Sequence, residues 1–236
     1  MRSLVFLCGF TAAIALAVSP LSAQDASPSS SPSPSYVQLQ IGGRMLAWRQ
    51  PDHGALKLTW SFANASVETD GTTNCTHMQR PDLTGFNPAE LHHQAAGAFA
   101  YWQKIAAVDF EYVDDPAKAL ILIGALQDPQ GIAFADVLHT PLPDMVRGEI
   151  QRGLICLNGS ARWKTGFDGD LKSYDIRFVL AHEIGHVLGL DHPSATGQLM
   201  SWRYDERTRE PQDGDRNGIN MLYGLRPRMD AEVRAR

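Results

Sequence analysis

The chain has 236 residues, of which 44% are hydrophobic and 20% charged, with a formal net charge of −5. This is an ordinary globular balance, with enough apolar residues to fill one core. No block of Lys or Arg marks a phosphate-binding face, which argues against nucleic acid as a partner.

Arg2 supplies a positive start, Leu4 to Val18 is an apolar run, and Ser19, Pro20, Leu21, Ser22 and Ala23 follow. That layout reads as an export signal over residues 1–23, shorter than the ~20 apolar residues of a membrane span. An uncleaved N-terminal anchor is the alternative. Cleavage leaves a secreted or periplasmic chain with no membrane attachment, and Cys8 is lost with the signal. Residues 24–35, QDASPSSSPSPS, read as a Ser/Pro-rich linker. Globular composition begins at Tyr36 and runs to residue 225, and residues 226–236 are a charged tail. Cys75 and Cys156 then remain as an even pair in an oxidising compartment, which favours a disulfide. Two unrelated buried thiols are an alternative. So is Cys75 as a zinc-capping group that confers latency.

Leu56 to Phe62 alternates apolar and polar residues and predicts a strand. Residues 63–87, rich in Asn, Thr, Asp, Gly and Pro, read as a long loop. Pro88, with Asn87 as cap, opens a helix over residues 88–105 whose Leu91, Ala95, Ala98, Phe99, Trp102 and Ile105 recur at helical spacing. Strands are predicted at Val108–Val113, Ala119–Ala125, Gly131–Val137 and Ile150–Leu157, the second nearly all apolar and so central. Residues 159–173 read as loop, Asp175–Leu190 as helix, and Asp213–Tyr223 as a final helix capped by Asp213 or Asp215. Strands first and helices late indicate an α+β or mixed α/β single domain.

The informative stretch is Ala181-His182-Glu183-Ile184-Gly185-His186-Val187-Leu188-Gly189-Leu190-Asp191-His192. Residues i and i+4 of a helix share one face, so His182 and His186 can aim at one point. Gly189 lets the helix stop and the chain reverse, returning His192 as a third ligand. Three imidazoles suit a catalytic zinc, which keeps its fourth position open. Zinc lowers the pKa of a water toward ~7, and Glu183 is the neighbouring carboxylate able to take its proton as general base.

These residues resemble the extended signature of the metzincin metalloproteases, and the wording AHEIGHVLGLDH is similar to the matrixin branch. The resemblance covers most of residues 44–225. It implies a zincin-like catalytic domain with a twisted, mostly parallel five-stranded sheet and three helices. It implies one catalytic zinc, a polypeptide substrate cut at internal bonds, and a chain acting as a monomer. Leu199-Met200-Ser201 is similar to the Met-turn, which would put Met200 beneath the metal. The resemblance also implies that substrate adds to an edge strand carrying Gly131, Ile132, Ala133, Phe134 and Ala135. Tyr204 then lines the main specificity pocket, while Trp202 replaces a common Pro.

Other features depart from the family pattern. Ala133, Ala135 and Cys156 occupy the neighbourhood of a second, structural zinc, and none is expected. There is no cysteine-switch motif, and no C-terminal propeller is expected. Asp213 to Gly218 resembles the start of an EF-hand calcium loop, but Gly224 stands in place of its bidentate Glu, so helix capping is favoured over calcium there. Asp168 and Asp170 are a weaker calcium candidate. Two other readings compete with the matrixin-like peptidase. One is a secreted binding module that keeps zinc for stability. The other is a serralysin-like or astacin-like protease, which would need a Tyr where Trp202 stands.

Overall fold

The structure is a computed structural model and describes residues 36–126, 131–142 and 146–226. The proposed signal, the Ser/Pro-rich linker and all but Arg226 of the tail lie outside the described residues.

Five strands form the main sheet: β1 (Leu56–Phe62), β2 (Val108–Tyr112), β3 (Ile121–Leu126), β4 (Ala133–Pro141) and β5 (Arg147–Leu157). Their order is β4-β5-β3-β1-β2. All neighbours run parallel except β4, which lies antiparallel on β5 at the edge. These five long strands give the mixed, mostly parallel architecture expected, and four short strands extend the same sheet to nine. β3 is central because ILIGAL offers apolar or small residues to both faces, and every one is buried.

The strand alternation sorts the core into two layers. Ile121, Ile123, Ile155 and Leu157 join the large core under the helices. Leu122, Leu154 and Cys156 face the other way, against Ala63, Cys75 and Met78. That second layer is covered by the 63–87 connection, which is not all loop. Val67–Glu68 pairs with His77–Gln79, and Met78 pairs with Leu126 of β3. Segments of two and three residues carry no readable periodicity, which is why a loop was expected there. A disulfide joins Cys75 to Cys156, 81 positions apart, with Cα atoms 5.7 Å apart.

Several boundaries differ from the sequence reading. β4 begins at Ala133, so Gly131 and Ile132 precede it, and it runs on to Pro141. β5 begins three residues early because Arg147–Glu149 pairs with Met45–Ala47. Residues 36–47 also hold short strands, two of them paired with segments remote in sequence. Val37–Gln38 pairs antiparallel with Leu190–Asp191, and Gln40–Ile41 turns back on Arg44–Met45.

Three α-helices lie among the described residues: α1 (Pro88–Ile105), α2 (Ile176–Val187) and α3 (Asp213–Tyr223). Asn87 caps α1, its side chain accepting the Glu90 N–H at 2.9 Å. The buried stripe Leu91, Ala95, Ala98, Phe99 and Trp102 turns α1 onto α2, where Trp102 Nε1 donates to the Ala181 carbonyl at 2.8 Å. α2 is shorter than the pattern suggested. Gly189 takes φ 99°, which a side chain disfavours, so the helix cannot continue to Leu190. The N-cap of α3 is Gln212, and Asp215 completes a capping box at N3 by accepting the Gln212 N–H. Asp215 has turned inward.

Candidate active site

Asp175 starts α2, its carboxylate accepting the Phe178 N–H at 2.7 Å. Two turns on, His182 and His186 stand on one face of the helix. The reversal at Gly189 and the pairing of Leu190–Asp191 with Val37–Gln38 then deliver His192. The three Nε2 atoms form a near-equilateral triangle. His182 to His192 is 3.0 Å, His186 to His192 3.1 Å and His182 to His186 3.2 Å.

The other ring nitrogens decide what this triangle means. His182 Nδ1 lies 2.7 Å from the Leu199 carbonyl and His186 Nδ1 2.8 Å from the Leu190 carbonyl. A carbonyl only accepts, so both Nδ1 atoms carry the proton and both Nε2 atoms present lone pairs. Acceptors converging this closely repel one another unless a cation lies among them. A point ~2.0–2.1 Å from all three nitrogens lies just off the plane of such a triangle, and that is the zinc–imidazole distance. Among the described residues this is the one His/Cys/Asp/Glu group with metal-like geometry. Burial, reinforced by the neighbouring imidazoles, drives His182 down to about 3 and His186 to about 4. Burial lowers His192 as well. All three imidazoles are therefore neutral at physiological pH, the form in which a metal could bind them.

Glu183 is 7% exposed, and burial alone raises its carboxyl to about 8. It borders the same cleft as the three histidines. Met200 lies under the site, 2% exposed. Gly185 makes room for it, since a Cβ there would stand 2.2 Å from Met200 Sδ.

Asp215 is expected to be a cap or calcium ligand; it does close the capping box of α3 at Gln212, and it also reaches beyond the helix. Its carboxylate accepts the N–H groups of Leu199 at 2.7 Å, Met200 at 3.1 Å and Gln212 at 2.8 Å. With 1% exposure and three donors it braces the turn that in turn orients His182. Nothing local in the sequence reports this contact, because Leu199 is 16 residues away. Asp168 and Asp170 are likewise engaged. Asp168 accepts from Lys164, and Asp170 accepts from the Lys172 N–H and the Ser173 hydroxyl.

The site opens on a cleft of about 950 Å³. Gly131, Ile132, Ala133 and Phe134 border it on one side and Tyr204 on the other. β4 pairs only with β5 among the described residues, leaving its outer edge toward the cleft. Ala133 and Ala135 pack on the large core, whereas Phe134 turns to the second layer. Tyr204 sits among Tyr174, Phe178 and Phe167. Its hydroxyl accepts the Asp175 N–H at 2.9 Å and donates to Glu206 at 2.7 Å. Sequence reading did not single out Glu206.

A family model described as matrixin matches residues 67–224, which contain the whole constellation. The chain belongs to the matrixin family. Similar proteins include metalloendoproteinase 1-MMP of Arabidopsis thaliana, 33% identical over 141 residues, 56% of this chain and 37% of the relative. Metalloendoproteinase 4-MMP of the same plant is 30% identical over 182 residues, 73% of this chain and 47% of the relative. Stromelysin-3 of Mus musculus is 48% identical over 62 residues, 26% of this chain and 12% of the relative. This matrixin thus spans less than half the length of the plant relatives it matches. Matrixin membership sets aside the serralysin and astacin branches.

Proposed function

We propose that this matrixin is a secreted, zinc-dependent endopeptidase. One observation carries the reading: three neutral imidazoles aim their Nε2 atoms at one point beside an unpaired strand edge. His182, His186 and His192 would hold the zinc. When bound, zinc acts as a Lewis acid on the scissile carbonyl and lowers the pKa of a water toward ~7. Glu183 takes the proton of the attacking water at its carboxylate and passes it to the departing amine nitrogen. Burial makes the Glu183 carboxylate a stronger proton acceptor, and the positive charge of a bound zinc would favour its ionised form before each cycle.

The substrate lies extended along β4 and adds to the sheet through main-chain hydrogen bonds. The recess beside His182 receives one of its side chains against Tyr204. Export rests on the apolar stretch of residues 1–23 and the disulfide between Cys75 and Cys156, a bond at home in an oxidising compartment.

The test is Glu183→Gln in the zinc-loaded chain. Zinc content should stay at one per chain while peptide hydrolysis falls by at least ~10³-fold, as expected when a general base is lost. Equal turnover by the variant would remove Glu183 from the mechanism. A wild type that binds zinc and cleaves nothing in a broad peptide library would favour a zinc-stabilised binding module.

A further inference from the structure

The segment that carries Tyr204 has no helix or strand from residue 201 to residue 212. Such a connection does not hold a pocket wall in place by ladder hydrogen bonds, so something else must fasten it. Beside the ring contacts of Tyr204, the polar fastening centres on the carboxylate of Glu206. Glu206 Oε1 accepts the Tyr204 hydroxyl at 2.7 Å and the Lys164 ammonium. Its Oε2 accepts the N–H groups of Asp168 at 3.0 Å and Gly169 at 2.6 Å.

Both charged partners are shielded. The Glu206 side chain is 7% exposed and that of Lys164 12%. Lys164 is fixed in turn by the Asp168 carboxylate and by the Asp170 carbonyl at 2.9 Å. Its backbone pairs in register with Asp175, the cap of α2. The N–H of Asp175 donates back to the Tyr204 hydroxyl. The contacts therefore close a ring, Glu206 to Tyr204 to Asp175 to Lys164 to Glu206. This ring ties the 201–212 segment to the start of the helix that carries His182.

From this we infer that Glu206 is a positioning residue that sets the size selectivity of the recess beside His182. The inference rests on the peptidase reading above. The recess is bounded by Leu171, Tyr174, Phe178, Val179 and Tyr204, so it takes an apolar side chain. A carboxylate with four donors, one of them cationic, is not a casual surface contact. Removing it leaves the Lys164 ammonium, the Tyr204 hydroxyl and two backbone N–H groups short of a partner. Tyr204 keeps the Asp175 N–H and its ring contacts but loses its tie to Lys164 and the 168–169 backbone, and the recess loses its fixed depth.

The test uses the zinc-loaded full chain and peptides that differ only in the residue following the bond the wild type cuts, graded through Ala, Leu, Phe and Trp. For Glu206→Ala, KM for the preferred peptide should rise about tenfold while kcat stays within about twofold, the pattern of lost substrate binding. The ratio between preferred and disfavoured sizes should fall toward one. Glu206→Gln keeps an oxygen for Tyr204 and should restore most of the preference. Tyr204→Phe keeps the ring, deletes the hydroxyl and should compress the preference as Glu206→Ala does, which covers the case where Glu206→Ala fails to fold. Arg207→Ala, at an exposed residue that pairs with Asp205 among the described residues, should leave the preference unchanged. Wild-type size ranking in both Glu206→Ala and Tyr204→Phe would overturn the inference and leave the peptidase reading standing. Absence of cleavage by the wild type would overturn both.

Discussion

The carboxylate of Asp215 accepts the N–H of Leu199 at 2.7 Å, and the carbonyl of that same Leu199 holds His182 Nδ1 at 2.7 Å. A buried acid on α3 thus sets the orientation of an imidazole on α2 through one backbone unit. Asp215→Asn replaces one carboxylate oxygen by an NH₂ group that must face N–H donors. The expected cost is about 1–3 kcal/mol of stability, together with roughly a tenfold loss of zinc affinity, as for other groups that orient a metal ligand. Chelator competition and thermal melting measure the two. Unchanged zinc affinity would mean that His182 keeps its orientation without the brace.

Gly185 tests the packing beneath the site. A Cβ there meets Met200 Sδ at 2.2 Å and the Trp102 ring at 2.9 Å. Gly185→Ala should destabilise the chain by about 1–3 kcal/mol through overpacking, despite alanine's better helix propensity. Thermal melting of the metal-free protein reads this directly, and a neutral or stabilising result would show that Met200 can move aside.

Several parts of the fold were legible in the sequence for physical reasons. Leu56–Phe62 and Pro88–Ile105 combine a long clean period with, for the helix, a cap and a leading proline, and the observed bounds agree with the reading. The apolar pattern overruns the end of α2 because Leu188 and Leu190 continue it, whereas the stop that Gly189 permits is where the chain turns. The strands within residues 36–47 were missed because their partners, Arg147–Glu149 and Leu190–Asp191, are 100 or more positions away. Within the site, the one-turn spacing of His182 and His186 is written in the chain. Glu206 and Lys164 are not, since both act between loops that have no period to read.

The metal-free protein should show an unusual pH dependence. Glu183 has a folded pKa of about 8 against an ordinary 4.5, so the folded state holds a proton that the unfolded chain releases between those values. Stability therefore falls as pH rises through that window, by up to about 1.4 kcal/mol per unit. His182 and His186 act oppositely. Their folded values of about 3 and 4 lie below the ordinary 6.5, so stability falls as pH drops below 6.5. Glu183→Gln retains the histidine contribution and lacks the glutamate one. Its stability advantage over wild type should grow from pH 4.5 to pH 8, as read by denaturant titration at each pH. A constant difference would show that Glu183 is not held protonated.

The disulfide closes a loop between positions 81 residues apart, and both cysteines are fully buried against the second core layer. Replacing both by Ser should cost roughly 4–5 kcal/mol from the freed unfolded chain alone, with a further loss from placing hydroxyls among Met78, Leu122 and Leu154. Denaturant unfolding of the double variant should show a lower midpoint. A midpoint equal to wild type would mean that the bond contributes nothing to this layer.

The most direct test of the account is anomalous diffraction at the zinc edge from crystals of the zinc-loaded chain. The account predicts a single peak ~2.0–2.1 Å from Nε2 of His182, His186 and His192, with no fourth protein ligand. A peak away from these nitrogens, or a further side chain closing the fourth position, would contradict it.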